Sequence, residues 1–213
     1  MAKGDLMRES YFPTRIYHQD LPDAASLNDA LARDIRAWQA ADPDGVLRSN
    51  APDTGAWHSR PDMQDRPEFA SLAGAIIRAA AALFADMGYR RDRVPKIDTM
   101  WANVTAPGGF NRAHIHPNVL WSGVYYVQAP TDAGRITFSD PRMQALMMGA
   151  EKDPDAPDHR DFWAEVNFAP TEGRILLFPA WLMHATEPNR SKRQGTAGER
   201  ISVSFNLRQG PPG

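Results

Sequence analysis

The hydrophobic rhythm of the chain changes near residue 94. Before it, apolar positions recur every three or four residues. Leu27, Leu31, Ile35 and Trp38 predict a helix from about Ser26 to Ala41, stopped by Asp42-Pro43-Asp44-Gly45. Phe69, Leu72, Ile76, Leu83 and Phe84 predict a second helix, with Pro67 suited to its first turn and Gly88 to its end. The alanines at 79 to 82 would let a sheet or another helix approach it closely. YFPTRIYHQDL, nearer the N-terminus, predicts a short strand with Pro13 at its start or edge. Residues 46 to 66, rich in Pro, Asp, Ser and Arg, predict a long loop.

After residue 94 the period drops to two. KIDTMWANV, LWSGVYYVQ, RITFSD, FWAEVNF, RILLFP and RISVSFNLR predict strands, separated by turn signals at Ala106-Pro107-Gly108-Gly109, Pro130 to Gly134 and Ala169 to Gly173. The methionine-containing interval 140–160 predicts a functional loop or lid. No helices separate the later strands, which argues against a parallel α/β fold. The order predicts a mainly β (α+β) domain: a jelly roll or sandwich with N-terminal helices packed on one sheet.

Composition narrows the chemistry. The 213 residues fit one domain, and 42% hydrophobic with 23% charged residues is ordinary for a globular chain. A formal net charge of −2 favours neither nucleic acid nor an anionic membrane, and the short basic run Arg190 to Arg193 reads as a solvated loop. With no cysteine there is no disulfide, thiolate metal site or catalytic thiol. MAKGDLMRES lacks the apolar core of a signal peptide, and no apolar run is expected to reach membrane-spanning length. A cytoplasmic location is the expectation.

Histidine carries the candidate chemistry. In a strand, residues i and i+2 share a face, so His114 and His116 in AHIHP would aim two imidazoles at one point. His184, five residues beyond the apolar strand that ends at Pro179, offers a third. Imidazoles without thiolates suit a redox-active or hydrolytic ion better than a structural zinc. Arg200 and Ser202 share a face of the last strand and could grip a carboxylate.

Together these residues resemble the Fe(II)/2-oxoglutarate-dependent oxygenases. That family uses a first His with an acid two residues later, a distal His, and an Arg-x-Ser pair on a double-stranded β-helix. The resemblance runs over about residues 95–208, through SGVYYVQAP, ITFSDPR, LLFPAWLMHATEPN and RISVSFN. These phrases look most like a bacterial and phage branch of the family. It implies a cupin-like double-stranded β-helix core at 95–208, helical support at 1–94, and one domain over 1–213. It implies His114, His116 and His184 as catalytic Fe(II) ligands, with Arg200, Ser202 and Asn103 on the 2-oxoglutarate co-substrate. The departure is His116 in the acid's place. A second register puts Asn118 at the acid position, and Asp140 is another replacement carboxylate. His58 is expected exposed, in a loop near the mouth. Trp101 is expected in the core, and one of Tyr125 and Tyr126 in the pocket. Arg142 would meet an anionic substrate or pair with Asp140. The expected partner is a small-molecule or peptide substrate, with no nucleic acid or membrane, and homodimerisation is left open. The rival functions are a cupin-like three-His dioxygenase needing no 2-oxoacid and a non-catalytic jelly-roll binding module.

Overall fold

The computed structural model describes residues 7–147, 149–157 and 159–212; the leader-like test of the N-terminus falls largely outside them. The first helical pattern forms α1 (Ala24–Ala41). The second forms α2 (Ala70–Asp86), entered through a 3-10 turn at Pro67–Phe69. Proline suits that entry because a first-turn residue has no intrahelical N–H bond to lose. Gly88 takes a positive φ of 68° just past the end of α2.

Ten strands follow the chain: β1 (Tyr17–Asp20), β2 (Trp57–His58), β3 (Val94–Thr105), β4 (Asn111–His114), β5 (Trp121–Gln128), β6 (Ile136–Ser139), β7 (Glu165–Phe168), β8 (Arg174–Pro179), β9 (His184–Thr186) and β10 (Arg200–Gly210). They form a six-stranded sheet in the order β1-β8-β5-β10-β3-β2 and a four-stranded sheet in the order β4-β9-β6-β7. All named pairings are antiparallel. This is the expected jelly roll. The predicted strands are all present, but the loop at 46–66 also contributes β2, which pairs His58 with Asn103 and edges the larger sheet.

Strand alternation sorts the large sheet into two faces. On β10, Ile201, Val203, Phe205 and Leu207 face the helices and join one core with Leu31, Ile35, Leu72, Ile76 and Leu83. Each such side chain, taken fully out of water, contributes roughly 1.5–3 kcal/mol. Pro67–Asp86 is 20 residues long and apolar enough by length and composition to cross a membrane, contrary to the sequence expectation. Here its apolar face packs into that core. The alternate residues, Arg200, Ser202, Ser204 and Asn206, face the smaller sheet. A second core of Val124, Tyr126, Leu176 and Phe178 against Ile136, Phe138 and Leu182 holds the two sheets together.

Polar groups on that inner face would be costly unless paired. Asn206 bridges three strands, accepting from Ser122 Oγ at 2.8 Å and donating to Thr99 Oγ1 at 2.9 Å. Asn103 donates to Ser204 Oγ at 2.9 Å. The space between the sheets is therefore apolar at one side and hydrogen-bonded at the other, and the polar side holds the site.

Candidate metal centre

His114, His116 and His184 converge. One ligand atom from each lies within 4.8 Å of the others, and the ring centroids are 4.3, 5.0 and 5.2 Å apart. His114 and His184 are direct cross-strand partners on β4 and β9. The turn before β4 explains that register: Gly108, at φ 91°, donates to the Asn189 carbonyl, and Asn189 donates back to Gly109. His116 reaches the group differently from expectation. It lies beyond the end of β4, and its place is set by its own N–H, which donates to the Ala180 carbonyl at 2.9 Å.

Two rings are also oriented. Nδ1 of His114 lies 2.7 Å from the Arg112 carbonyl, and Nδ1 of His184 lies 2.9 Å from the Leu182 carbonyl. A carbonyl only accepts, so each Nδ1 carries the proton and each Nε2 lone pair is left for a ligand. His116 has no such hydrogen bond among the described residues. Its ring is stacked on Trp101 at 5.8 Å instead. Trp101 is thus half-buried beside the site rather than in the core. Trp101→Leu is expected to lower metal affinity about tenfold, by loosening His116 without removing a ligand. Cobalt(II) titration followed by its visible absorption checks this.

Arg200 lies in the same cavity and is 2% exposed. Its Nη1 donates to the carbonyls of Ala133 at 2.6 Å, Gly134 at 3.2 Å and Glu187 at 3.4 Å, and its Nη2 to Thr186 Oγ1 at 3.2 Å. Gly134 has φ 83°, and a Cβ there would strike the Glu187 and Pro188 carbonyls, so glycine permits this carbonyl cage. The Glu187 carboxylate turns away to Arg135, at 3.1 Å. Arg200 therefore has only neutral partners, and its Nε–H has none among the described residues. Burial pushes its pKa below the ordinary value, with Tyr126 opposing. Thr186 is two residues from His184 along β9, about 6–7 Å of strand.

Ser202 and Asn103 line the cavity as well. Asn103 is committed within the sheet, accepting from Trp101 Nε1 at 3.1 Å and donating toward Ser202 and Ser204. Of the two tyrosines, Tyr126 faces the cavity, while Tyr125 donates to Asn28 on α1 at 2.6 Å. The Tyr126 hydroxyl has no hydrogen bond among the described residues, and burial pushes its pKa up to about 12. Sequence reasoning did not assign Thr186; the i, i+2 rule applied to His184 would have found it.

The rejected alternatives are also placed. Asp140 pairs bidentately with Arg142, at 3.0 and 2.8 Å, and lines a separate groove with it. Asn118 is exposed in a left-handed turn at φ 67°. His58 differs most from expectation: it is on β2, faces the cavity, and is half-buried with its Nε2 enclosed.

Burial lowers three histidine pKa values, with the neighbouring His114 adding to each: His58 and His116 to about 4, and His184 to about 3. These three imidazoles are thus neutral near pH 7, which for His116 and His184 is the form a metal requires. The folded values lie below the unfolded value of 6.5, so the unfolded chain binds more protons between them. The metal-free protein should keep this stability above about pH 6.5 and lose it progressively as pH falls toward 4. Urea midpoints between pH 7.5 and 4.5 check this; a flat profile would refute it.

Comparisons with known proteins complete the description. A family model described as "Putative 2OG-Fe(II) oxygenase" matches residues 99–206. Among curated proteins no match is found. A prolyl-4-hydroxylase from Pseudomonas putida shares the fold at TM-score 0.59 and 19% identity, over 92% of this chain and 93% of that one. The α-ketoglutarate-dependent epimerase SnoN from nogalamycin biosynthesis aligns at TM-score 0.61 and 13% identity, over 92% and 76%. HygX from Streptomyces hygroscopicus, with nickel and 2-oxoglutarate bound, aligns at TM-score 0.55 and 12% identity, over 92% and 82%.

Proposed function

Because the chain belongs to the 2OG-Fe(II) oxygenase family, we propose that His114, His116 and His184 are its Fe(II) ligands and that Arg200 and Ser202 hold the far carboxylate of 2-oxoglutarate. One observation carries the second half of this reading: a guanidinium buried in the cavity of three convergent imidazoles, with no acid among the described residues to neutralise it. A buried charge is tolerated when a partner arrives. A dicarboxylate reaching from the imidazoles to Arg200 is that partner. In a three-His dioxygenase without a 2-oxoacid, Arg200 would instead bind a substrate carboxylate, and the response to 2-oxoglutarate separates the two.

The donor set fits the metal. Three imidazoles suit iron, and no carboxylate among the described residues completes the group. When bound, Fe(II) would supply the activation of dioxygen coupled to 2-oxoglutarate decarboxylation. The chain's own contribution is positional. The Arg112 and Leu182 carbonyls fix two imidazole tautomers, and Trp101 braces the third ring. Nε and Nη2 of Arg200 would take the far carboxylate, and Tyr126 could add its hydroxyl. Val124, Ile136 and Phe178 line the cavity's apolar wall and exclude water. The prime substrate would be a small molecule or peptide, handled in the cytoplasm.

An anaerobic Fe(II) titration with and without 2-oxoglutarate tests the reading. A visible absorption band requiring both, and succinate formed on admitting air, would support it. A protein that binds Fe(II) yet shows no response to 2-oxoglutarate would overturn it.

A further inference from the structure

The charges of the cavity do not cancel. Its lining includes four imidazoles and the Arg200 guanidinium, but no acidic side chain among the described residues. The acids that directly follow β9 and β6 are engaged elsewhere: Glu187 with Arg135, and Asp140 with Arg142 outside the cavity. A dication and Arg200 bring three positive charges. The co-substrate brings two negative ones. One positive charge is left in a space walled by Phe178, Ile136 and Val124, where the field is poorly screened. A carboxylate at position 116 would have removed it, but His116 cannot.

The same cavity has an unused polar edge. β2 and β4 are the outer strands of their sheets on one side of the site. There His58 and Asn111 line the cavity, with Asn50 from the preceding loop. His58 Nε2 and Asn111 Oδ1 are buried with no hydrogen-bond partner. The two side chains approach each other closely enough for a weak contact, yet no hydrogen bond of good geometry joins them. Amide orientation follows its partner, so Asn111 can present N–H as readily as oxygen. A neutral His58 can donate from Nε2. This edge can therefore offer donors to a group that enters beside the metal.

Resting on the oxygenase reading, we propose that the prime substrate is an organic monoanion, seated by its carboxylate against His58 and Asn111 while 2-oxoglutarate occupies Arg200. The carboxylate supplies the missing negative charge and satisfies the idle polar atoms together. An uncharged substrate does only the second.

The test uses the full chain loaded with nickel(II), a redox-inert stand-in, in chloride-free buffer. Binding of nickel and of 2-oxoglutarate is measured first by calorimetry. Propionate and its uncharged counterpart propionamide are then titrated into the loaded protein. Propionate is expected to bind at least about tenfold more tightly, since hydrogen bonds to a charged group are about twice as strong as neutral ones. His58→Phe should weaken propionate about tenfold without changing nickel or 2-oxoglutarate affinity. His58→Gln, which keeps a donor, should recover much of it. Asn111→Ala gives a second route if His58→Phe does not fold. His116→Asp, which restores the acid, should reduce the preference for propionate over propionamide, because it removes the uncompensated charge but leaves the His58 and Asn111 donors.

Equal binding of acid and amide overturns the proposal. So does propionate binding indifferent to both His58 and Asn111, because the anion then sits on the metal alone. Chloride that displaces propionate and removes the preference would assign the seat to an inorganic ion instead. Failure of 2-oxoglutarate to bind sinks the oxygenase reading and this inference with it. Normal 2-oxoglutarate binding without acid preference sinks only this inference.

Discussion

Replacing Arg200 with methionine should raise the 2-oxoglutarate concentration for half-saturation at least a hundredfold while making the ligand-free protein more stable. The two effects have one cause. Arg200 is 2% exposed, and its only hydrogen-bond partners among the described residues are three carbonyls and a hydroxyl. Burial disfavours the charged form. Without co-substrate, the fold carries a charge it has not neutralised, and an apolar side chain of similar reach removes that burden. With co-substrate, the same substitution buries a carboxylate opposite nothing. Breaking such a pair costs about 3–5 kcal/mol, or roughly two to three and a half powers of ten in affinity. Thermal melting with and without 2-oxoglutarate separates the effects. The variant should melt above the parent when both are empty and lose the ligand-induced rise. A variant that melts lower and still responds to 2-oxoglutarate would show that Arg200 holds the loop at 133–134 rather than a ligand.

Substituting His184 with alanine is the other large effect. It should weaken Fe(II) binding by well over a hundredfold, more than the roughly 10–100-fold typical of losing a supporting contact to a ligand. The remaining two imidazoles, one on a strand end and one on a loop, cannot hold the ion as three do. The readout is cobalt(II) affinity, with the intensity of its visible bands reporting coordination. His116→Asp is the paired control and should retain metal, because an acid at that position completes two imidazoles and a carboxylate. If His184→Ala binds cobalt as tightly as the parent, the convergence of the three rings is structural. Both experiments are independent of the unknown substrate.

The long elements were legible because one face of each is buried. β3 and β10 show alternation because one face joins the helical core while the other carries polar residues, and β5 and β8 read as apolar runs because their two faces meet different cores. The residues that converge in the cavity were signalled in the same way: Arg200 and Ser202 share a strand face, and the i, i+2 spacing singled out His114 and His116. What was hidden is short or local. β2 has two residues and β9 three, too few for any period to show. His58 therefore looked like an exposed loop residue, although β2 turns it into the cavity. Trp101 looked like core because tryptophan usually is, but its face of β3 opens toward His116. The strand geometry proposed for His114 and His116 was half right. Only His114 is in a strand, and the Ala180 carbonyl places the other.

The pairing of His114 with His184 has a consequence for how the empty protein breathes. β4 and β9 are brief, β4 lies at a sheet edge, and their register slips between Asn111 and His114. Few ladder bonds resist local opening there. An ion gripped by both imidazoles would tie the two strands across their shared rung, much as a clasp closes a hem. Backbone amides around residues 111–116 and 184–186 should then exchange with deuterium markedly more slowly once metal is added, while those of α2 should hardly change.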